Sequence, residues 1–115
     1  MKIKKFKTIS STHTYLKENN SKYTENTVIL AEEQTGGIGT KGRNWHTGSN
    51  KNIAMSMLFR PQKNVKKLEG LTIEIAKRIQ KIMEQKYNIK LTIKEPNDLM
   101  LNEKKICGIL TESNT

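Results

Sequence analysis

A glycine-rich stretch, residues 36–45, contains the residue types best suited to binding chemistry. It reads Gly-Gly-Ile-Gly-Thr-Lys-Gly-Arg-Asn-Trp, so four glycines and two cations lie within ten residues. Glycine lets the backbone come close to a ligand because no Cβ stands in the way, and successive N–H groups can bind an anion. Lys41 and Arg43 would add positive charge. The stretch therefore predicts a loop that binds phosphate groups.

The spacing of these glycines does not match the better-known nucleotide-binding loops. Gly37, Gly39 and Gly42 fit the pattern G-x-G-x-x-G, but that motif must open a helix, and residues 44–52 have no helical period. A Walker loop requires Gly-Lys-Ser/Thr, whereas Arg43 follows the last glycine here. A kinase loop requires later His-Arg-Asp and Asp-Phe-Gly segments, which the sequence lacks. A surface hairpin loop without a ligand is the alternative.

The elements around this stretch predict strands and a short helix. Residues 28–33 are apolar and end in acids, and residues 53–59 are β-branched and apolar, so both predict strands. Residues 2–9 alternate loosely and predict an edge strand whose lysines discourage pairing with other chains. Residues 10–12, Ser-Ser-Thr, offer N-cap hydroxyls to a short helix that ends near Asn19. The N–H groups at that helix start could also face a polar ligand.

Residues 65–87 give the clearest helical signal in the sequence. Apolar residues recur every three or four positions, which predicts an amphipathic helix packed on a sheet. We assign its apolar face to core packing and to no functional role. The predicted apolar positions are Val65, Leu68, Leu71, Ile75, Ile79, Ile82 and Met83.

The end of the chain predicts short strands that hold one lysine rigidly. Residues 91–94 alternate as a strand, and Pro96 forces the residue before it into extended geometry, so Lys94 lies at a rigid strand end.

A hairpin is predicted after this strand. Residues 99–101 and 105–110 form its two strands around a turn at residues 102–104. Gly108, inside the second strand, indicates close approach by another backbone or by a ligand.

Length and composition limit the class of protein. A chain of 115 residues has room for one domain at most. No apolar run approaches the ~20 residues of a membrane span, so we expect no membrane association. The start lacks the apolar core of a signal peptide, and Cys107 is the single cysteine, so no internal disulfide can form. We therefore expect a cytoplasmic protein in which Cys107 is a small buried residue.

The net charge of +10 comes from 21 Lys and Arg against 11 Asp and Glu. An excess of this size is common in proteins that bind nucleic acids. All but three of these cations are Lys, however, and they are spread along the whole chain without a basic stripe of interleaved aromatic residues. We therefore expect no nucleic-acid partner. The alternative, a nucleic-acid binder, predicts an affinity that falls steeply with salt.

Six segments, taken in order, closely resemble the biotin protein ligases. The resemblance covers nearly the whole chain and implies an α/β fold of the α+β type, with a mixed sheet and helices packed on one side. It implies that residues 1–115 are the N-terminal part of a catalytic domain, without the helix-turn-helix domain of some relatives and without the C-terminal portion. The matching segments are residues 11–12, 28–35, 37–45, 52–57, 94–98 and 105–110.

The resemblance implies a two-step reaction. Biotin and ATP form biotinyl-5′-AMP and pyrophosphate with the help of Mg²⁺, and a lysine of a biotin carboxyl carrier protein then takes the biotinyl group. Holding a carboxylate and a triphosphate together requires fixed cations and oriented N–H groups. Lipoate ligases share the fold, but Lys-Glu-Pro-Asn-Asp at residues 94–98 and Gly-Ile-Leu at residues 108–110 favour the biotin branch. Another alternative is a truncated module that holds biotin or the adenylate without completing transfer.

The resemblance also implies roles for individual residues. Lys94 would contact the carboxylate and the α-phosphate, and Arg43 would hold phosphates, so these two are the predicted catalytic residues. The first helix and the strand after it would supply polar contacts to biotin, and Trp45 would form a wall of the pocket. The predicted substrate-binding residues are Ser11, Thr12, His13, Gln34, Gly37, Ile38, Gly39, Thr40, Arg43, Trp45, Lys94 and Gly108. No residue is predicted to bind a metal ion directly.

The sequence departs from the family pattern at three of these positions. The family usually has Arg where this chain has Ile38 and Thr40, and often has Asn where it has His13. Loss of two arginines is expected to weaken the hold on the adenylate intermediate. Separately, an unpaired strand edge after Leu110 favours aggregation or a homodimer.

Overall fold

The computed structural model places two compact units along the chain, Met1–Gln62 and Lys63–Thr115. For residues 44–47, 68 and 69 it describes the backbone alone. The residues described are 1–38, 44–47, 52–60, 68–94 and 98–113.

The first unit is built on a mixed sheet whose central strand is β2. This strand pairs in parallel with β1, and it pairs antiparallel with both β3 and β4. The predicted edge strand and the two predicted strands around the glycine-rich stretch are confirmed. The four strands are β1 (Lys2–Ile9), β2 (Thr27–Ile38), β3 (Asn44–Thr47) and β4 (Ala54–Met57).

A short helix, α1 (Thr12–Asn19), covers one face of this sheet and is followed by a 3-10 turn, Asn20–Lys22. Ser11 caps the helix, since its Oγ accepts a hydrogen bond of 3.1 Å from the Thr14 N–H, as the sequence predicted. The apolar side chains on this face exclude water and hold the helix against the strands. The buried apolar residues of the first unit are Leu16, Val28, Ile29, Ala31 and Ala54, of which Val28 lies on the face opposite to Ile29 and Ala31.

Strand β2 is longer than the predicted 28–33 and contains the first part of the glycine-rich stretch. Gly37 pairs with Trp45, and Ile38 pairs with Asn44, after an irregularity that begins at Gln34. Residues 36–38 and 44–45 of the glycine-rich stretch therefore belong to paired strands, where the sequence predicted a loop. The backbone ladder across the hairpin continues through glycines that sequence propensity alone would place outside a strand. Residues 39–43, the middle of the predicted phosphate-binding loop, lie outside the described residues.

Gly36 lies where two backbones come close together. Its N–H donates to the Ser10 carbonyl oxygen at 2.6 Å, and a Cβ at this position would lie 3.4 Å from that oxygen. This bond ties the end of β1 to β2 immediately before α1 begins. A Cβ at this distance would make an ordinary van der Waals contact, so the two backbones leave little room for a larger side chain here.

The second unit packs a long helix on an antiparallel sheet in the order β5-β6-β7. Asn102 and Glu103 form its hairpin turn with φ values of 49° and 69°, as a two-residue turn between twisted strands requires. The turn is one residue shorter than predicted because Lys104 already belongs to the last strand. The elements are α2 (Leu68–Tyr87), β5 (Thr92–Lys94), β6 (Asp98–Leu101) and β7 (Lys104–Gly108).

The core of this second unit forms around Ala76, Leu91 and Leu99. Gln80 supports the packing, since its Nε2 donates to the Leu91 carbonyl oxygen at 2.7 Å. The predicted apolar face of α2 is wrong at Ile82, which is 49% exposed. Positions 72, 76, 79 and 83 share one face at helical spacing, and Ile82 lies to one side of that face. Val65, also predicted on the face, lies outside the described residues.

Candidate functional site

A cluster of hydrogen-bonded polar side chains lies at the N-terminus of α1. The Thr12 N–H donates to Gln34 Oε1 at 2.8 Å, and the Thr12 hydroxyl reaches the same oxygen at 3.1 Å. Thr12 Oγ1 is also 2.8 Å from Ser56 Oγ. The polar cluster, Thr12, Gln34 and Ser56, therefore joins α1, β2 and β4. Because Gln34 Oε1 accepts two hydrogen bonds, the orientation of its amide group is fixed.

Ser56 was missed by the sequence reasoning. It lies in β4 opposite Ile29, between two methionines that are both about half exposed, Met55 and Met57. A small polar residue that alternates with large apolar ones in a strand was the available signal. Without the fold, nothing in the sequence indicated that this hydroxyl meets Thr12.

The other predicted site residues of the first unit are close to Thr12 or Gln34 in the sequence. Ser11 is buried and used as the helix cap, and His13 is half-buried in the first turn of α1. Gly37 is buried in β2, and the Ile38 side chain next to it is 41% exposed. The remaining predicted residues of the glycine-rich stretch, Gly39, Thr40, Arg43 and the side chain of Trp45, lie outside what the structure describes.

The second unit brings Lys94, Asp98 and Gly108 into one row across its three strands. Lys94 pairs with Asp98 between β5 and β6, and Asp98 pairs with Gly108 between β6 and β7. Asp98 also forms an ion pair with Lys105, with 2.8 Å between Asp98 Oδ1 and Lys105 Nζ. Lys94 is exposed at the end of its strand, as the sequence predicted. The row therefore presents an exposed cation beside a carboxylate that is neutralised by a second lysine.

Cys107 is half-buried beside this row, where the sequence predicted a small buried residue. Burial raises the pKa of its thiol, and the Asp98 charge adds to the rise, while Lys105 opposes it. The thiol therefore stays protonated at neutral pH and is a poor nucleophile. We assign it no part in catalysis.

Two features are absent from the described ranges. Within them, no three His, Cys, Asp or Glu side chains are grouped in a way that could hold a metal ion. Helices long and apolar enough to cross a membrane are also missing from the part of the chain that is described.

Replacing Thr12 by valine is expected to lower the free energy of unfolding by about 1–3 kcal/mol. The valine keeps the shape of a side chain that is 3% exposed, but it removes the hydroxyl shared by Gln34 and Ser56 and leaves buried polar atoms without that partner. Urea denaturation measures the change. Thr14→Val in the same helix is the matched control, expected within about 0.5 kcal/mol of the original chain. Equal losses in the two variants would show that the polar cluster adds no stability.

Comparisons with known proteins agree on one family. The bifunctional ligase/repressor BirA of Bacillus subtilis is 37% identical over 93 residues, which is 81% of this chain and 29% of the relative. The structure of the biotin protein ligase from Aquifex aeolicus in complex with biotin and ATP matches with a TM-score of 0.88 and 29% identity, over 97% of this chain and 47% of that one. The biotin acetyl coenzyme A carboxylase synthetase from Helicobacter pylori, with bound biotinylated ATP, matches with a TM-score of 0.78 and 26% identity, over 98% of this chain and 55% of that one.

These matches confirm the predicted fold class, a mixed sheet with packed helices. The chain spans between about a third and about half of the length of these relatives. A sequence model of the biotin/lipoate A/B protein ligase family matches residues 5–115, which is nearly the whole chain. The chain therefore belongs to the biotin/lipoate A/B protein ligase family.

Proposed function

We propose that the protein carrying this chain is a biotin protein ligase. In the first step a biotin carboxylate oxygen attacks the α-phosphorus of ATP, the bond between the α- and β-phosphates breaks, and pyrophosphate leaves. In the second step a lysine amine of the carrier protein attacks the acyl carbon of biotinyl-5′-AMP, loses a proton, and displaces AMP. The observation that carries the proposal is the fixed polar cluster at the start of α1 in a chain of this family.

The polar cluster suits the ureido group of biotin. That group carries one carbonyl acceptor and two N–H donors, so it requires both donors and acceptors at fixed positions. The Thr12 O–H donates to Gln34 and the Ser56 O–H donates to Thr12, so the Ser56 hydroxyl oxygen serves as an acceptor. Gln34 supplies an amide whose orientation its bonds to Thr12 fix. Because these polar groups are already ordered, little conformational entropy is lost when a ligand binds to them. Ser11 and His13, which flank Thr12, are proposed as further contacts.

Lys94 is proposed to stabilise the charge that develops as the adenylate forms. Its ammonium stands at the end of β5, and its strand neighbour Asp98 is already paired with Lys105. Because Lys105 already neutralises much of the Asp98 charge, Asp98 attracts the Lys94 ammonium less strongly. The Lys94 charge is therefore available for an anionic substrate. Arg43, the loop N–H groups and Gly108 complete the proposed contacts to phosphate and adenylate. We also propose that the glycine-rich stretch contacts the substrates through Gly37, Ile38, Gly39, Thr40 and Trp45.

Magnesium is proposed to enter with the substrate. Mg²⁺ is usually bound through substrate phosphates with one or two protein carboxylates, rather than by a complete cage of side chains. The ATP phosphates are therefore the proposed ligands of the ion. Bound to ATP, the ion would neutralise phosphate charge, while Lys94 and the backbone N–H groups orient the reacting atoms.

The proposed partner is a biotin carboxyl carrier protein or the corresponding subunit of a biotin-dependent carboxylase. The Helicobacter pylori structure, which is named for acetyl coenzyme A carboxylase, supports this choice. A cytoplasmic location is proposed from the single cysteine, since no internal disulfide can form. A homodimer through an exposed strand edge remains a proposal, and we propose no nucleic-acid partner.

The test is pyrophosphate exchange into ATP by the protein carrying this chain. Exchange is expected with biotin present and is expected to stop without it, because pyrophosphate can re-form ATP only from the biotinyl-adenylate. Lipoate in place of biotin is the control. Exchange with lipoate alone would overturn the assignment to the biotin branch. If the protein binds biotin but catalyses no exchange, it is a biotin-binding module and not a ligase.

A further inference from the structure

Three side chains of the first unit form a hydrogen-bonded triangle on its surface. The Lys4 ammonium donates to Tyr15 Oη at 3.2 Å and to Tyr23 Oη at 3.1 Å. The two phenol oxygens are 2.7 Å apart. Lys4 lies on β1, Tyr15 lies on α1, and Tyr23 follows the 3-10 turn, so three separate segments build this Lys-Tyr-Tyr triangle. None of these residues takes part in the proposed ligase reaction.

Aromatic rings hold the ammonium group in position. The rings of Phe6 and Tyr15 meet edge to face with centroids 5.0 Å apart. Lys4 Nζ lies 5.3 Å, 5.6 Å and 5.8 Å from the ring centroids of Phe6, Tyr15 and Tyr23. The Phe6 ring attracts the cation through its negative face, while the two phenols hold it through their hydrogen bonds. Lys4 is thus restricted before any ligand binds, so a ligand loses less binding free energy to ordering this side chain.

The triangle has more hydrogen-bond donors than it uses. An ammonium group carries three N–H bonds, and two of them serve the phenols. Each phenol carries one O–H, and one of the two serves the bond between the phenol oxygens. Among the hydrogen bonds of the described residues, this leaves one N–H and one O–H for a further acceptor. An acceptor placed there would meet two donors and a positive charge.

The surroundings add positive charge to the triangle. Hydrogen bonds to Tyr23 and Tyr15 raise the pKa of Lys4, so its positive charge persists above its usual range. Hydrogen bonds from Tyr23 and Lys4, followed by the charges of Lys4 and Lys22, lower the pKa of Tyr15. Lys22 is therefore close enough for its charge to act on the triangle. Lys2 lies two residues before Lys4 on β1 and so shares its face of the strand.

We propose that Lys4, Tyr15 and Tyr23 form a binding site for a phosphate group, carried either by inorganic phosphate or by a small phosphate monoester. The donors and the charge both select for this chemistry. A phosphate dianion can accept from the ammonium and the phenol at the same time, and charge-assisted hydrogen bonds are the stronger ones. Because Lys22 adds a second cation, a dianion is favoured over a single carboxylate.

The experiment is a phosphate titration of the chain at constant ionic strength, followed by NMR of ¹³C-labelled tyrosine rings. The chain has three tyrosines, and Tyr87, which is 64% exposed on α2, is the internal control. Saturable shifts of Tyr15 and Tyr23 are expected at millimolar phosphate, with Tyr87 unmoved. A parallel titration with glycerol phosphate separates the two sources, since tighter binding would indicate a phosphate monoester as the ligand. Acetate is expected to bind more weakly than either.

Two matched variants locate the site. Lys4→Gln is expected to weaken phosphate binding at least about tenfold, since it removes the charge and the third N–H. Lys5→Gln removes the same charge from the next residue, which faces the other side of β1, and is expected to change the affinity by less than about twofold.

Three results would overturn the proposal. They are shifts that never saturate, equal shifts at Tyr87, and equal losses in Lys4→Gln and Lys5→Gln. Circular dichroism checks that each variant is folded. If Lys4→Gln does not fold, Lys4→Met decides, because it keeps an unbranched side chain of similar length and removes the charge and every N–H. Unchanged phosphate binding at Tyr15 in Lys4→Met would also contradict the proposal.

Discussion

Replacing Lys94 by alanine is expected to slow formation of biotinyl-adenylate about 100-fold and to leave the fold intact. Lys94 is the exposed last residue of β5, and the core of its unit forms around Ala76, Leu91 and Leu99, so its side chain contributes little to stability. Removing an oriented cation beside a developing negative charge costs on the order of 3 kcal/mol in the transition state, which is about 100-fold in rate. Biotin-dependent exchange of pyrophosphate into ATP, at saturating substrates, measures this loss.

Lys90→Ala is the control for Lys94→Ala. Lys90 is also exposed and lies four residues earlier, just before β5, so its removal makes the same change in net charge. The control is expected to retain the original exchange rate within about twofold, because an unoriented surface charge acts weakly in water. If Lys94→Ala also keeps its full rate, Lys94 is an ordinary surface lysine. The proposed role of the row with Asp98 and Gly108 would then be wrong.

The parts of the fold that depend on local patterns were predictable from the sequence. The cap at Ser11, the edge strand Lys2–Ile9 and the position of Lys94 at a strand end each follow from residue type and immediate neighbours. Local hydrogen bonds and side-chain alternation decide such features, so they need no knowledge of distant residues.

The parts that depend on distant pairings were not predictable. Strand β2 extends through Gly36 and Gly37 because β3 supplies a partner, although glycine is poorly suited to strands. Ile82 fits the apolar period of α2, yet the sheet contacts a narrower face of that helix. Tertiary packing overrode local preference in both cases.

The candidate site shows the same division. Thr12 and Gln34 were identified by resemblance, but their mutual hydrogen bonds depend on how α1 lies against β2. Ser56 was missed because its role exists only when β4 pairs with β2 and brings a hydroxyl to Thr12. The chemistry of single residues can be inferred from a sequence, whereas the partners that orient them come from the fold.

Restoring arginine at positions 38 and 40 is expected to slow the release of biotinyl-adenylate about 100-fold. The resembled family usually has arginines there, which would close the glycine-rich stretch over the intermediate through charge-assisted hydrogen bonds. Ile38 has no donor, and Thr40, which lies outside the described residues, has one neutral hydroxyl. Each restored charged contact is worth roughly 1.5–3 kcal/mol, and affinity changes of this kind act mainly on the off-rate. The expected factor of about 100 is at the lower end of that range.

The structure makes Ile38→Arg feasible. Ile38 is the last residue of β2 and is 41% exposed, so a longer polar side chain can reach solvent without entering the core. Arg at Ile3, which is 53% exposed on the edge strand β1, is the control for added charge at an exposed apolar strand position. The measurement is the dissociation rate of purified biotinyl-adenylate from the original protein, the Ile38→Arg/Thr40→Arg variant and Ile3→Arg. Slower release in the double variant alone is expected, together with less untargeted biotinylation of bystander lysines. Equal rates in all three proteins would mean that Lys41, Arg43 and the loop N–H groups already retain the intermediate, so the absence of the two arginines has no functional consequence.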